Sequence, residues 1–104
     1  MRIGYVRAKE ISQINEQVNK LISQGVEIVF IEDDDTLDRL FNEILVPADA
    51  LYVTSLDRFS RDIKKTAQIL ETLHRYGLEL YVDGAKYDLE AFAKGSKIID
   101  QLIK

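Results

Sequence analysis

Two short stretches of this chain are dense in cations that suit phosphate chemistry. They are Gly4-Tyr5-Val6-Arg7-Ala8-Lys9, near the start, and Leu56-Asp57-Arg58-Phe59-Ser60-Arg61, in the middle. Opening a phosphodiester by nucleophilic attack needs an attacking group in line with the leaving oxygen, positive charge on the non-bridging oxygens and a route for protons. Arginine suits the second task, because its planar fork holds phosphate by two hydrogen bonds and keeps its proton. Arg7, Arg58 and Arg61 are the candidates for that role, and Lys9 is a candidate point charge beside them.

The elements that must position these residues follow from periodicity. Residues 2–6, 26–31, 50–54 and 78–82 are short apolar runs rich in strand formers. Between them, apolar residues at steps of three and four predict helices over about 10–24, 36–45 and 59–76, and a last one over 88–104. Gly25 and Gly77 end two of these helices and Pro47 closes another. Thr36 and Asp57 are the expected N-caps of the second and third. Strict alternation of strand and helix predicts an α/β single domain: a mostly parallel four-stranded sheet with helices on both faces. In such sheets the ligand site lies off the carboxyl ends of the strands. Arg7 and Lys9 follow strand one, and Asp57, Arg58 and Arg61 follow strand three. Two separate segments therefore deliver cations to one edge of the sheet.

Paired in this way, the two stretches resemble the active-site motifs of the serine recombinases, the resolvases and invertases that cut and rejoin DNA. In that family strand one supplies Tyr-x-Arg-x-Ser, whose serine forms a covalent phosphoserine link to the DNA end, and a helix start supplies Leu-Asp-Arg-x-x-Arg. Tyr5 and Arg7 match the first motif; Asp57, Arg58 and Arg61 match the second. The resemblance runs from Met1 to about the start of the last helix and implies a resolvase-like catalytic domain over 1–104. It assigns Tyr5, Arg7, Lys9, Asp57, Arg58 and Arg61 to the catalytic site. Gln13 and Gln17 resemble the polar start of the family's first helix. Arg39 is the nearest candidate for a further family arginine, and its spacing to Pro47, about one helical turn shorter than usual, leaves that assignment open.

The chain departs from the family pattern in three places. Lys9 stands at the serine position. The helix that forms the family's dimer interface is represented only by 88–104, and no C-terminal DNA-binding domain follows. The resemblance with these departures implies a domain related to site-specific DNA recombination that has lost catalysis, with a vestige of a mobile element as one reading of its role. It would act by pairing with itself or with an intact recombinase, or by touching the phosphate backbone of DNA. The alternative is a fragment of an active recombinase whose DNA-binding part is missing or supplied in trans. A third reading, a receiver-type signalling domain on a similar sheet, needs acids after strand one, where Arg7 and Lys9 stand instead.

Each singled-out residue also has a plainer reading. Arg58 and Arg61 could be surface residues of a helix start, although the helix dipole opposes cations there. Tyr5 could be a strand aromatic. Lys9 is a drifted, solvated residue, a phosphate-holding point charge or, least of all, a nucleophile. Ser12, Ser55 and Ser60 are the available substitute hydroxyls. The acidic run Glu32-Asp33-Asp34-Asp35 reads as a solvated loop, and His74 has no second ligand at a metal-binding spacing.

Composition sets the outer limits. The chain of 104 residues, 46% of them hydrophobic, is the size of one domain, and such a domain buries roughly two-thirds of its unfolded surface. With no cysteine there are no disulfides or thiolate metal sites, which fits a reducing interior. The strand-like start leaves no room for a signal peptide and no apolar run suggests a membrane span, so a cytoplasmic protein without cofactor or metal is expected. The net charge of −4 opposes strong free-standing DNA binding, but not a local phosphate site.

Overall fold

Residues 1–95 are described by a computed structural model. Five strands form one sheet: β1 (Arg2–Val6), β2 (Ile28–Ile31), β3 (Ala50–Val53), β4 (Glu79–Val82) and β5 (Ala85–Tyr87), in the order β2-β1-β3-β4-β5. The first four are parallel, and β5 pairs antiparallel with β4. The expected four-stranded sheet is thus a mixed five-stranded one. The extra strand is made by Asp83-Gly84, both at positive φ (50° and 81°), which turn the chain straight back on itself. A two-residue turn with both φ positive matches the right-handed twist of the strands it joins.

Helix α1 (Ile11–Ser23) covers one face of the sheet, where Leu21 packs with Val6, Ala50 and Tyr52. It approaches closely: a Cβ on Gly4 would lie 2.9 Å from Leu21 Cδ1. Ile11 and Ile22, two of the apolar residues whose helical spacing predicts a buried face, are exposed, while the polar Gln17 is buried. Helices α2 (Thr36–Arg39) and α3 (Ile63–Arg75), with α4, helical over 89–95, cover the other face. There Ile3, Tyr5, Leu51, Val53 and Leu80 meet Leu37, Phe59, Leu70, Leu73 and Leu89. The alternation of strand residues between the two faces follows from the pleat.

Two helices begin or end differently from the reading of their sequence. After α2 the chain continues as a wider π-type turn, Leu40–Ile44, closed by the Leu45 N–H on the Leu40 carbonyl at 2.8 Å. The helix expected from 59 is broken at its start. Leu56–Arg58 form a 3₁₀ turn and α3 begins at Ile63, so its cap is Asp62, which accepts the Lys64 N–H at 2.9 Å, and not Asp57. The physical reason is Phe59: its side chain is core, only 2% exposed, and burying it requires an irregular backbone before α3. The remainder of the helix expected over 88–104 lies outside the described residues from 96 onward. No helix among the described residues is long and apolar enough to cross a membrane.

Candidate functional site

The strand order places a topological switch between β1 and β3, since the connection after β1 leads to β2 on one side and the connection after β2 crosses to β3 on the other. The carboxyl ends of two such strands splay their loops apart and leave a crevice. A cleft of about 510 Å³ lies there, and Arg7, Lys9, Arg58 and Arg61 all line it together with Asp57. The two sequence motifs, far apart along the chain, are therefore one surface.

The backbone at the end of β1 is held by the buried Gln17. Its Oε1 accepts the Arg7 N–H at 3.4 Å and its Nε2 donates to the Arg7 carbonyl at 3.2 Å. The Arg7 guanidinium reaches across to the other motif and donates through Nη1 to the Phe59 carbonyl at 3.1 Å. Arg58 is half-buried on the 3₁₀ turn, and its Nε is buried without a hydrogen-bond partner. An unmade bond to a buried guanidinium nitrogen is costly, and the residue that carries it is one of those lining the cleft.

The charges of the cleft are unevenly satisfied. Among the described residues none of Arg7, Lys9, Arg58 and Arg61 forms an ion pair. The carboxylates on the walls are largely engaged. Asp57 accepts from the Ser55 hydroxyl, and Asp33 accepts from Thr36 and pairs with Arg39. Glu32 accepts from the Tyr5 hydroxyl at 2.9 Å and from the N–H groups of Thr36 and Leu37 at 2.8 and 3.2 Å. Burial works against the charged form of Glu32, but these donors outweigh it and hold the carboxyl below its ordinary range.

Several expected residues fall elsewhere. Tyr5 is 1% exposed and does not line this cleft. Its ring stacks on Phe59 (centroids 5.9 Å apart, 18° between planes), and burial, then its bond to Glu32 and that residue's charge, push its hydroxyl pKa upward. Arg39 is absent from the lining and is engaged by Asp33 and Asp35. Ser12, Ser55 and Ser60 are absent from it as well. Among the described residues that line the cleft there is no hydroxyl or thiol side chain. Glu32, on the wall of both this cleft and a neighbouring one of about 520 Å³, was hidden in the acidic run. Its only sequence signal is its place at the end of a strand beside β1.

A crevice lined by three arginines, a lysine and four carboxylates at the switch point of a sheet ordered 2-1-3-4-5 defines the class as an α/β domain with a charged cleft at the carboxyl edge of its sheet. Residues 32–100, well over half of the chain, match the family of resolvase N-terminal domains, and the chain belongs to that family. The matched stretch contains Asp57, Arg58 and Arg61; Arg7 and Lys9 precede it and line the same cleft, whereas Tyr5 precedes it and does not. Membership links the chain to recombinase-related function, and in general terms to interaction with DNA and to oligomerisation. No curated protein matches the chain.

Proposed function

We propose that this chain is a serine-recombinase-like domain that binds a phosphate group, such as one of the DNA backbone, at the cleft between β1 and β3 without cutting the strand. On this reading Lys9 occupies the place of the nucleophilic serine. The observation that carries it is a cleft with four unpaired cations and no hydroxyl or thiol in its lining. Such a surface supplies charge to the non-bridging oxygens of a phosphodiester but no group to open it. Arg58 provides the half-buried donor, Arg7 and Arg61 further charge, and Lys9 an exposed point charge on the same cleft. Asp57, bonded to Ser55, shapes the 3₁₀ turn that presents Arg58. The domain then acts by contact, with DNA phosphate and with another copy or an intact recombinase, and no metal or cofactor takes part in this reading.

Incubation with supercoiled plasmid, followed by denaturation and mass spectrometry of protein and DNA ends, tests the reading. No covalent protein–DNA product is expected. A phosphoserine or phospholysine adduct would overturn it in favour of an active recombinase fragment, and the modified residue would identify the nucleophile.

A further inference from the structure

We infer that Glu32 is a positioning residue for Arg7, acting through Tyr5 and Phe59. The inference rests on the cleft being a phosphate site and concerns how its first arginine is held. Glu32 ends the β2 edge of the site. It ties down the start of α2 through the Thr36 and Leu37 N–H groups and receives the Tyr5 hydroxyl from β1. That hydroxyl sits on a ring buried against Phe59. The Phe59 N–H closes the 3₁₀ turn on the Leu56 carbonyl at 3.1 Å, and the Phe59 carbonyl takes Arg7 Nη1 at 3.1 Å. A continuous path of hydrogen bonds and aromatic packing thus runs from the end of β2, through β1, to the turn after β3, and back to the guanidinium. Its two ends, Glu32 and Arg7, both line the cleft.

The path has a consequence opposite to simple electrostatics. Glu32 is a negative wall of a phosphate cleft, so its neutralisation should strengthen phosphate binding through charge alone. If Glu32 positions Arg7, a glutamine there keeps one accepting oxygen for three donors and turns the other into an N–H donor, which loosens the Tyr5–Phe59 stack and the carbonyl that fixes the guanidinium, and binding weakens instead. Preorganised donors act without reorganisation when the ligand arrives, and that is the property lost.

The test is inorganic phosphate titrated into the wild-type chain, Glu32→Gln, Tyr5→Phe, Arg7→Gln and the Glu32→Gln/Arg7→Gln double variant. It is followed by calorimetry and by the ¹⁵N signals of the Arg7 guanidinium. Glu32→Gln should weaken phosphate binding about tenfold, and the effect should vanish when Arg7 is already Gln, the non-additivity expected of coupled residues. Tyr5→Phe, which keeps the ring and core volume, should act in the same direction more weakly. The Arg7 guanidinium signals should shift and broaden in Glu32→Gln even without phosphate. Unchanged or tighter binding by Glu32→Gln, or an effect that persists in the Arg7→Gln background, would overturn the inference. If the wild-type chain binds no phosphate, the phosphate reading fails, and the guanidinium signals alone then decide whether Glu32 positions Arg7.

Discussion

At the scale of the residue, the site turns on which polar groups are already satisfied. Glu32, Asp33 and Asp57 have local donors, whereas Arg58 Nε has no acceptor and the four cations have no carboxylate within ion-pair distance. Charge-assisted hydrogen bonds are worth about 1.5–3 kcal/mol each. Arg58→Gln should therefore weaken phosphate binding by about tenfold to a hundredfold, as read by calorimetry. Asp62→Ala removes the cap of α3 and should cost about 1 kcal/mol in denaturant unfolding. Asp57→Ala should cost α3 little, since the cap is not there; an equal loss from both would contradict the assignment of the cap. The arginines were legible in the sequence because residues just after strands one and three must share a sheet edge. Glu32 was not, because four consecutive acids look alike until the partner of each is known, and the partner here is a tyrosine on another strand. The cap was misread for a related reason: Asp57 and Asp62 both precede a helical pattern, and the tertiary need to bury Phe59 decides between them.

At the scale of the element, the parallel core could be read directly from apolar runs alternating with helical spacing, since β1 and β3 are buried on both faces and nearly all apolar. The strand β5 was missed although Asp83-Gly84 is a strong hairpin signal. Three residues, Ala85-Lys86-Tyr87, are too few to show a period, and the following Leu89 and Phe92 drew the stretch into a helix. Two substitutions probe these elements. In Gly4→Ala the added methyl meets Leu21 and Val26 at 2.9 and 3.1 Å, and overpacking of a filled core should cost about 1–3 kcal/mol by chemical denaturation. The same methyl presses α1 outward, where Gln17 holds the Arg7 backbone, so phosphate affinity should fall with it. Gly84→Val places a β-branched residue at φ 81° and should destabilise the hairpin while the cleft, beyond β3 at the β1–β3 switch point, keeps its affinity.

At the scale of the whole molecule, an acidic chain gathers four cations, Arg7, Lys9, Arg58 and Arg61, at one cleft that four carboxylates also line. The net charge of −4 repels polyanions at long range, so binding must come from short-range contacts within the cleft. Phosphate affinity should fall as salt rises from about 50 to 200 mM, because exposed charges are screened over about a Debye length. Stability should depend on pH through Glu32 and Asp49. The Val46 N–H, against opposing burial and with help from the N-terminal ammonium, holds the Asp49 carboxyl low. Both native carboxyls titrate below their ordinary values of 4.5 and 3.8. Their contribution is full above those values and is lost as pH falls through the lower native ones, because the unfolded chain binds protons first. Melting temperature should hold steady down to about pH 5 and drop below it; Asp49→Ala should start lower and fall less steeply.

The central claim is that Arg7, Lys9, Arg58 and Arg61 form one phosphate-binding surface. The most direct measurement is a titration of the wild-type chain with inorganic phosphate, followed residue by residue in amide and side-chain NMR signals. Saturable shifts confined to residues 7–9, 57–61 and the Gln13–Gln17 side of α1 are predicted, and they should be abolished by Arg58→Gln. No shifts, or shifts spread evenly over the surface lysines and arginines, would contradict it.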